Sequence, residues 1–174
     1  MNAARFLLLA RSSILLVVLC LFMPGCGSPG RKSGKPVAWN IKLIKVTGAS
    51  VEVDLIGISP SELSYWNHVD ITKYFATTGD PVREQAADRA KRTRFEEGNE
   101  FLLKADDPIW TKWLSYGTSE LVILASLPKR VGEGEADQRR RILSIGKKEW
   151  QAKGKTIEIE ILDSQIRPLT APKL

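Results

Sequence analysis

Thr156-Ile157-Glu158-Ile159-Glu160-Ile161-Leu162 alternates apolar and polar residues without a break. Successive side chains of a strand point to opposite faces, so this segment offers one face to a core and the other to water. Val51-Glu52-Val53-Asp54-Leu55 repeats the pattern before Ile56-Gly57-Ile58 closes it. Glu52 and Asp54 then belong to the wet side of a strand and do not form a catalytic carboxylate pair. An earlier, less regular strand starts near Trp39, with Ile41 and Leu43 on one face and Lys42 and Ile44 on the other. Glu120-Leu121-Val122-Ile123-Leu124-Ala125-Ser126-Leu127 is nearly all apolar, as expected of a central strand covered on both faces. Ile142, Leu143 and Ile145 mark another extended element, and Gln165-Ile166-Arg167 a brief final one. Five or six strands without regular strand-helix alternation predict a mainly β chain, a β-sandwich with helical insertions.

The insertions announce themselves through their caps. Ser59-Pro60-Ser61-Glu62 opens a helical segment running to Val69, and Asp70 caps a short helix at Ile71-Thr72-Lys73-Tyr74-Phe75. Asp80-Pro81 and Asp107-Pro108 each place an N-cap acceptor before a proline suited to the first helical position. The first predicts a charged helix over 82–93, packed through Val82, Ala86 and Ala90. The second predicts a helix ending at Gly117, with Trp110 and Trp113 on one side. Core packing is the first explanation for that tryptophan pair, and partner binding the second. Pro128 to Gln138 is a polar loop whose Gly132 and Gly134 lack phosphate-loop spacing. Arg139-Arg140-Arg141 follows, read as a solvated edge that resists sheet aggregation ahead of a headgroup or phosphate site.

The N-terminus sets the compartment. Arg5 and Arg11 flank an apolar run, Ile14 to Met23, followed at once by Pro24-Gly25-Cys26. The run is short for a membrane span and suits a cleaved export signal. It resembles a bacterial lipoprotein signal, in which Cys26 becomes the first mature residue and carries diacylglycerol and palmitate. Several chains on one residue hold a membrane firmly. The expected organisation is a signal peptide over 1–25, a lipid-attached flexible tether over 26–38, one sandwich-like domain over 39–170 and a tail over 171–174. Gly27 rather than aspartate follows the cysteine, which by analogy favours the outer membrane, facing the periplasm. The formal charge of +6 falls to +4 once Arg5 and Arg11 are removed, too modest an excess to indicate nucleic-acid binding.

An enzyme is not indicated. His68 is the single histidine, and no cysteine would remain beyond Cys26 to build a metal site with it. No Gly-x-Ser-x-Gly elbow is present, and no cofactor is expected. Recognition residues stand out instead. Tyr65, Trp66, Tyr74 and Phe75 in the first insertion are candidate protein contacts, as are Trp110, Trp113 and the loop bases Lys129 and Arg130.

Together, Cys26, the Val51–Leu55 strand and Ile71-Thr72-Lys73-Tyr74-Phe75 resemble the start of the TssJ-like outer-membrane lipoproteins of type VI secretion. Leu121-Val122-Ile123-Leu124-Ala125 and Ile157-Glu158-Ile159-Glu160-Ile161 look like two later strands of that family. The charged 80–97 segment and the Trp110/Trp113 helix depart from its pattern. The resemblance implies a transthyretin-like sandwich that binds a TssM-like inner-membrane component. The expected function is therefore a structural or docking lipoprotein of a cell-envelope complex. The alternative is a small ligand-binding or transport lipoprotein with a pocket between the sheets or beside the Trp110 helix.

Overall fold

The computed structural model describes residues 34–96 and 98–173. The expected signal peptide, Cys26 and most of the expected tether lie outside the described residues. No helix among those described is long and apolar enough to cross a membrane.

Alternation builds the first sheet. In β7 (Thr156–Ile161), Ile157, Ile159 and Ile161 are fully buried, while Glu158 and Glu160 face the other way. β1 (Asn40–Lys45) runs parallel to β7 and buries Ile41 and Leu43 beside those isoleucines. β4 (Glu100–Leu103) and β8 (Ile166–Pro168) add antiparallel edges, giving the order β4-β1-β7-β8.

The second sheet is antiparallel, in the order β3-β2-β5-β6. Its strands are β2 (Val51–Ile58), β3 (Ala90–Phe95), β5 (Glu120–Ala125) and β6 (Arg140–Ser144). Leu121, Ile123 and Ala125 of β5 meet the first sheet, and Val122 and Leu124 enter a separate core on the outer face. The fold is thus a two-sheet sandwich with short helices inserted, as expected. Among the described residues it has eight strands rather than five or six.

The outer core is made by the first insertion. α1 (Leu63–His68), α2 (Ile71–Tyr74) and α3 (Pro81–Gln85) lay Trp66, Ile71, Tyr74 and Ala86 over Ile56, Ile58, Val122 and Leu124. The aspartate caps form as anticipated: Asp70 accepts from the Thr72 and Lys73 N–H groups, and Asp80 from those of Val82 and Arg83. The predicted 82–93 helix is corrected. Helix ends at Gln85, and residues 90–95 form edge strand β3. Cross-strand charges override helical propensity there, because Glu52 stands opposite Arg94 and Asp54 opposite Arg92.

α4 (Pro108–Ser115) contributes two indoles to the space between the sheets. Trp110 and Trp113 pack edge to face at 4.9 Å. Their N–H groups donate to the Lys104 and Arg89 carbonyls, at 3.1 and 2.7 Å. Such pairing lets a tryptophan be buried without an orphaned donor. Gly57 of β2 lies directly under Trp113, where a Cβ would sit 2.5 Å from the indole. Trp39 and Trp150 donate to the Ile145 and Ser144 carbonyls and so fasten the end of β6.

Candidate functional site

The proposed contact residues divide by burial. Trp66, Tyr74, Trp110 and Trp113 are core residues, so none presents a ring to a partner. All four pack in the core, the first explanation for the tryptophan pair, since each large ring is stabilised by leaving water. Tyr65, stacked edge-on against Trp66, is 52% exposed. Phe75 is half-buried, with the Arg83 guanidinium 4.7 Å above its ring. Lys129 and Arg130 are exposed on the loop after β5. His68 hydrogen-bonds the Ser64 carbonyl through Nδ1, and its Nε2 lies 3.6 Å from Glu135. Among the described residues no cluster of three or more histidines, cysteines or acids could hold a metal ion.

The most concentrated chemistry centres on a residue expected to be solvated. Asp54 is 0% exposed, because the helical insertion covers the outer face of β2. The Tyr74 hydroxyl donates to its Oδ2 at 2.9 Å, and Arg83 donates to both carboxylate oxygens at 3.2 Å. Arg92 Nε is 3.3 Å from Oδ2. Arg83 also pairs with Glu52 at 2.9 Å. Burial, together with the adjacent Asp54 charge, raises the Tyr74 hydroxyl far above its ordinary value, which keeps it a donor. An open groove of about 430 Å³ runs over this network, lined by Glu52, Gly79, Asp80, Arg83, Arg92 and Arg94. The arginines at its wall already hold carboxylates, so the arrangement braces helices to sheet. A signal was available in the sequence: Ile56 and Ile58 share Asp54's face and need cover of their own.

The arginine run is also corrected. Arg139 and Arg140 are buried, and only Arg141 is exposed. Arg139 binds both oxygens of Asp137, at 3.0 and 2.7 Å, and the Thr72 hydroxyl at 3.1 Å. Burial alone would raise the Asp137 carboxyl, but the Arg139 hydrogen bonds hold it below the usual range. Arg140 donates to the carbonyls of Trp66 and Asn67 at the end of α1, at 2.8 and 2.6 Å, and to that of Gly134 at 2.5 Å. It caps the helix and ties it to the polar loop.

Loops gather at the two ends of the sheets. At the ends of β1 and β5, Val46 N–H donates to the Ile161 carbonyl and Lys129 N–H to that of Asp163. Ion pairs Lys129–Asp163 and Arg130–Glu133 measure 3.6 and 3.2 Å. A hydrogen bond from Thr47, helped by the Lys129 charge, holds the Asp163 carboxyl below its ordinary range. Val46 and Val131 stand 57% and 49% exposed among these charges.

The other end receives the entering chain. Lys147 N–H donates to the Lys35 carbonyl, Val37 N–H to that of Ile145, and Pro36 bridges Gly146. Residues 35–37, from the expected tether, are therefore hydrogen-bonded to the domain, and Pro172 of the expected tail bridges Trp150. β1 separates the two ends by about 20 Å of strand.

At this entry end, burial and the nearby Glu149 push the Glu120 carboxyl up to about 7, from an ordinary 4.5. An acid whose folded value exceeds its unfolded one stabilises the fold fully below the lower value. That contribution disappears as pH rises through the higher one. Urea midpoints should therefore fall between pH 4.5 and about 7, and Glu120→Gln should flatten that slope. An unchanged slope in the variant would acquit the carboxyl.

No protein-family model and no curated protein matches the sequence. Among solved structures, the chain is similar to a C-terminal domain of the T6SS protein TssM from EAEC. The TM-score is 0.48 at 11% identity, covering 75% of this chain and 99% of that one. It is also similar to the T6SS lipoprotein TssJ1 from Pseudomonas aeruginosa, with a TM-score of 0.45 at 15% identity, covering 80% and 99%. Lip from Serratia marcescens, a membrane-bound component of the type VI secretion system, gives 0.41 at 8% identity, covering 75% and 97%. These are likenesses of fold.

Proposed function

We propose that this chain is a lipid-anchored docking protein of the cell envelope, held in the outer membrane through Cys26 and binding a protein partner with the loops at the far end of its sandwich. The observation that carries this is the polarity of the domain: its chain enters at one end, while exposed Val46, Val131, Lys129 and Arg130 gather at the other. Apolar residues set among charges are the usual composition of a protein contact. The filled interior also favours docking over ligand transport, because the Trp110 and Trp113 indoles occupy the space between the sheets. A TssM-like inner-membrane component is the partner that the sequence resemblance suggests, with type VI secretion as the setting.

Photo-crosslinking from Val131 and Val46 in native membranes tests this. One large inner-membrane protein should be captured from both positions and from neither in a Cys26→Ala chain. Arg130→Glu with Val131→Asp should weaken capture about tenfold or more, as loss of an interface anchor does, with the thermal midpoint unchanged. Correct membrane location with no adduct from either position would reject the docking role.

A further inference from the structure

The bases of this domain fall into two groups. Half of those described are matched within the fold: Lys42, Lys91, Lys112 and Lys129 each reach a carboxylate, as do Arg83, Arg89, Arg92, Arg94, Arg130, Arg139 and Arg167, while Lys73, Lys104 and Arg141 are exposed outside any such pair among the described residues. Lys35, Lys147, Lys148 and Lys173 are exposed, and none takes part in an ion pair among the described residues. They are distant in sequence but share one place. Lys147 N–H donates to the Lys35 carbonyl at 3.0 Å, and Lys173 N–H to that of Glu149 at 2.7 Å. A Cβ on Gly34 would touch the Lys148 backbone nitrogen at 3.4 Å. Lys153 and Lys155 follow in the exposed turn before β7, whose first residue pairs with Asn40 at the start of β1.

We propose that this lysine-bearing end is the membrane-facing surface of the domain and rests on anionic phospholipid headgroups. The proposal rests on the lipoprotein reading of Cys26. A chain extends at most about 3.5 Å per residue, so a bilayer-held Cys26 keeps Gly34 within about 30 Å of the headgroups. The free lysines surround that point of entry, and Arg31 and Lys32 precede it in sequence. Each base close to an anionic surface adds attraction that fades within a Debye length. Acids lie at this end too: Asp106 and Asp107 follow Ala105, whose N–H donates to Asn40 Oδ1, with Asp107 paired to Lys91, and Glu120 and Glu149 stand close to each other. The Glu149 carboxylate lies beside Gly146, where a Cβ would sit 2.6 Å from Oε1, and Glu120 is half-buried. The surface therefore presents mainly cations.

The native lipidated protein would be reconstituted in vesicles of phosphatidylcholine, with or without phosphatidylglycerol, and its lysines acetylated briefly for mass spectrometry. Lys35, Lys147, Lys148 and Lys173 should react about fivefold more slowly on the anionic vesicles, with Lys129 at the far end unaffected. Lys147→Glu with Lys148→Glu should abolish that dependence while partner crosslinking from Val131 persists. Equal reactivity on both vesicles, in protein that floats with them, overturns this orientation and leaves the lipoprotein reading standing. Equal protection by inorganic phosphate without vesicles overturns the bilayer as ligand. Protein that fails to float overturns the lipoprotein reading and this inference with it.

Discussion

Asp54→Ala should destabilise the domain by about 3–5 kcal/mol, the range for removing one partner of a buried charge network. The carboxylate is 0% exposed and receives Tyr74, Arg83 and Arg92 together. Without it, the Tyr74 hydroxyl has lost its acceptor under the helices, and Arg83 retains only Glu52. Asp54→Asn keeps the shape and one acceptor oxygen, so it should cost less than alanine and still more than Glu52→Gln. Glu52 is partly solvated, and exposed ion pairs contribute about 0–1 kcal/mol. Urea midpoints of the three variants settle the order. Equal small losses at both acids would mean that the network does not hold the insertion to the sheet.

Trp113→Ala is the second large effect, expected at about 3–5 kcal/mol for an aromatic ring removed from a core. The indole contacts Gly57 and donates to the Arg89 carbonyl, so its loss leaves both a cavity and an unpaired acceptor. Gly57→Ala tests the same contact from the other side. In the native background the added methyl meets the ring at 2.5 Å, and overpacking of this kind costs about 1–3 kcal/mol. In a Trp113→Ala background that methyl enters the vacated space, and its cost should fall to near zero. Residues in contact are not additive, and this pair should show it. Strict additivity across the four proteins would refute the close approach.

Local pattern was enough for β5 and β7, whose alternation or continuous apolarity states how many faces are covered. It was enough for the helix starts at Asp70, Asp80 and Asp107, where a cap is a matter of a few neighbouring residues. It failed where a distant segment decides. Lys91, Arg92 and Arg94 look like a helix surface until the acids of β2 lie opposite them. Asp54 looks solvated until residues 63–85 cover it, and Arg140 until the carbonyls ending α1 reach its guanidinium. The recognition residues show the same division. Ring size alone does not tell core from contact, and four of the six aromatics singled out went to the core, while the loop bases Lys129 and Arg130 stand exposed.

The parallel pairing of β1 with β7 has a consequence for the order of events as the chain is made. β1 holds a central place in its sheet, yet one of its two neighbours spans residues 156–161 and the other 100–103. Such distant pairing is slow to form, because a long loop must close before any contact rewards it. The first of these strands in the chain must therefore wait, apolar and half-paired, for almost the whole polypeptide to follow it. A chain cut short before Thr156 would lose its middle as well as its end.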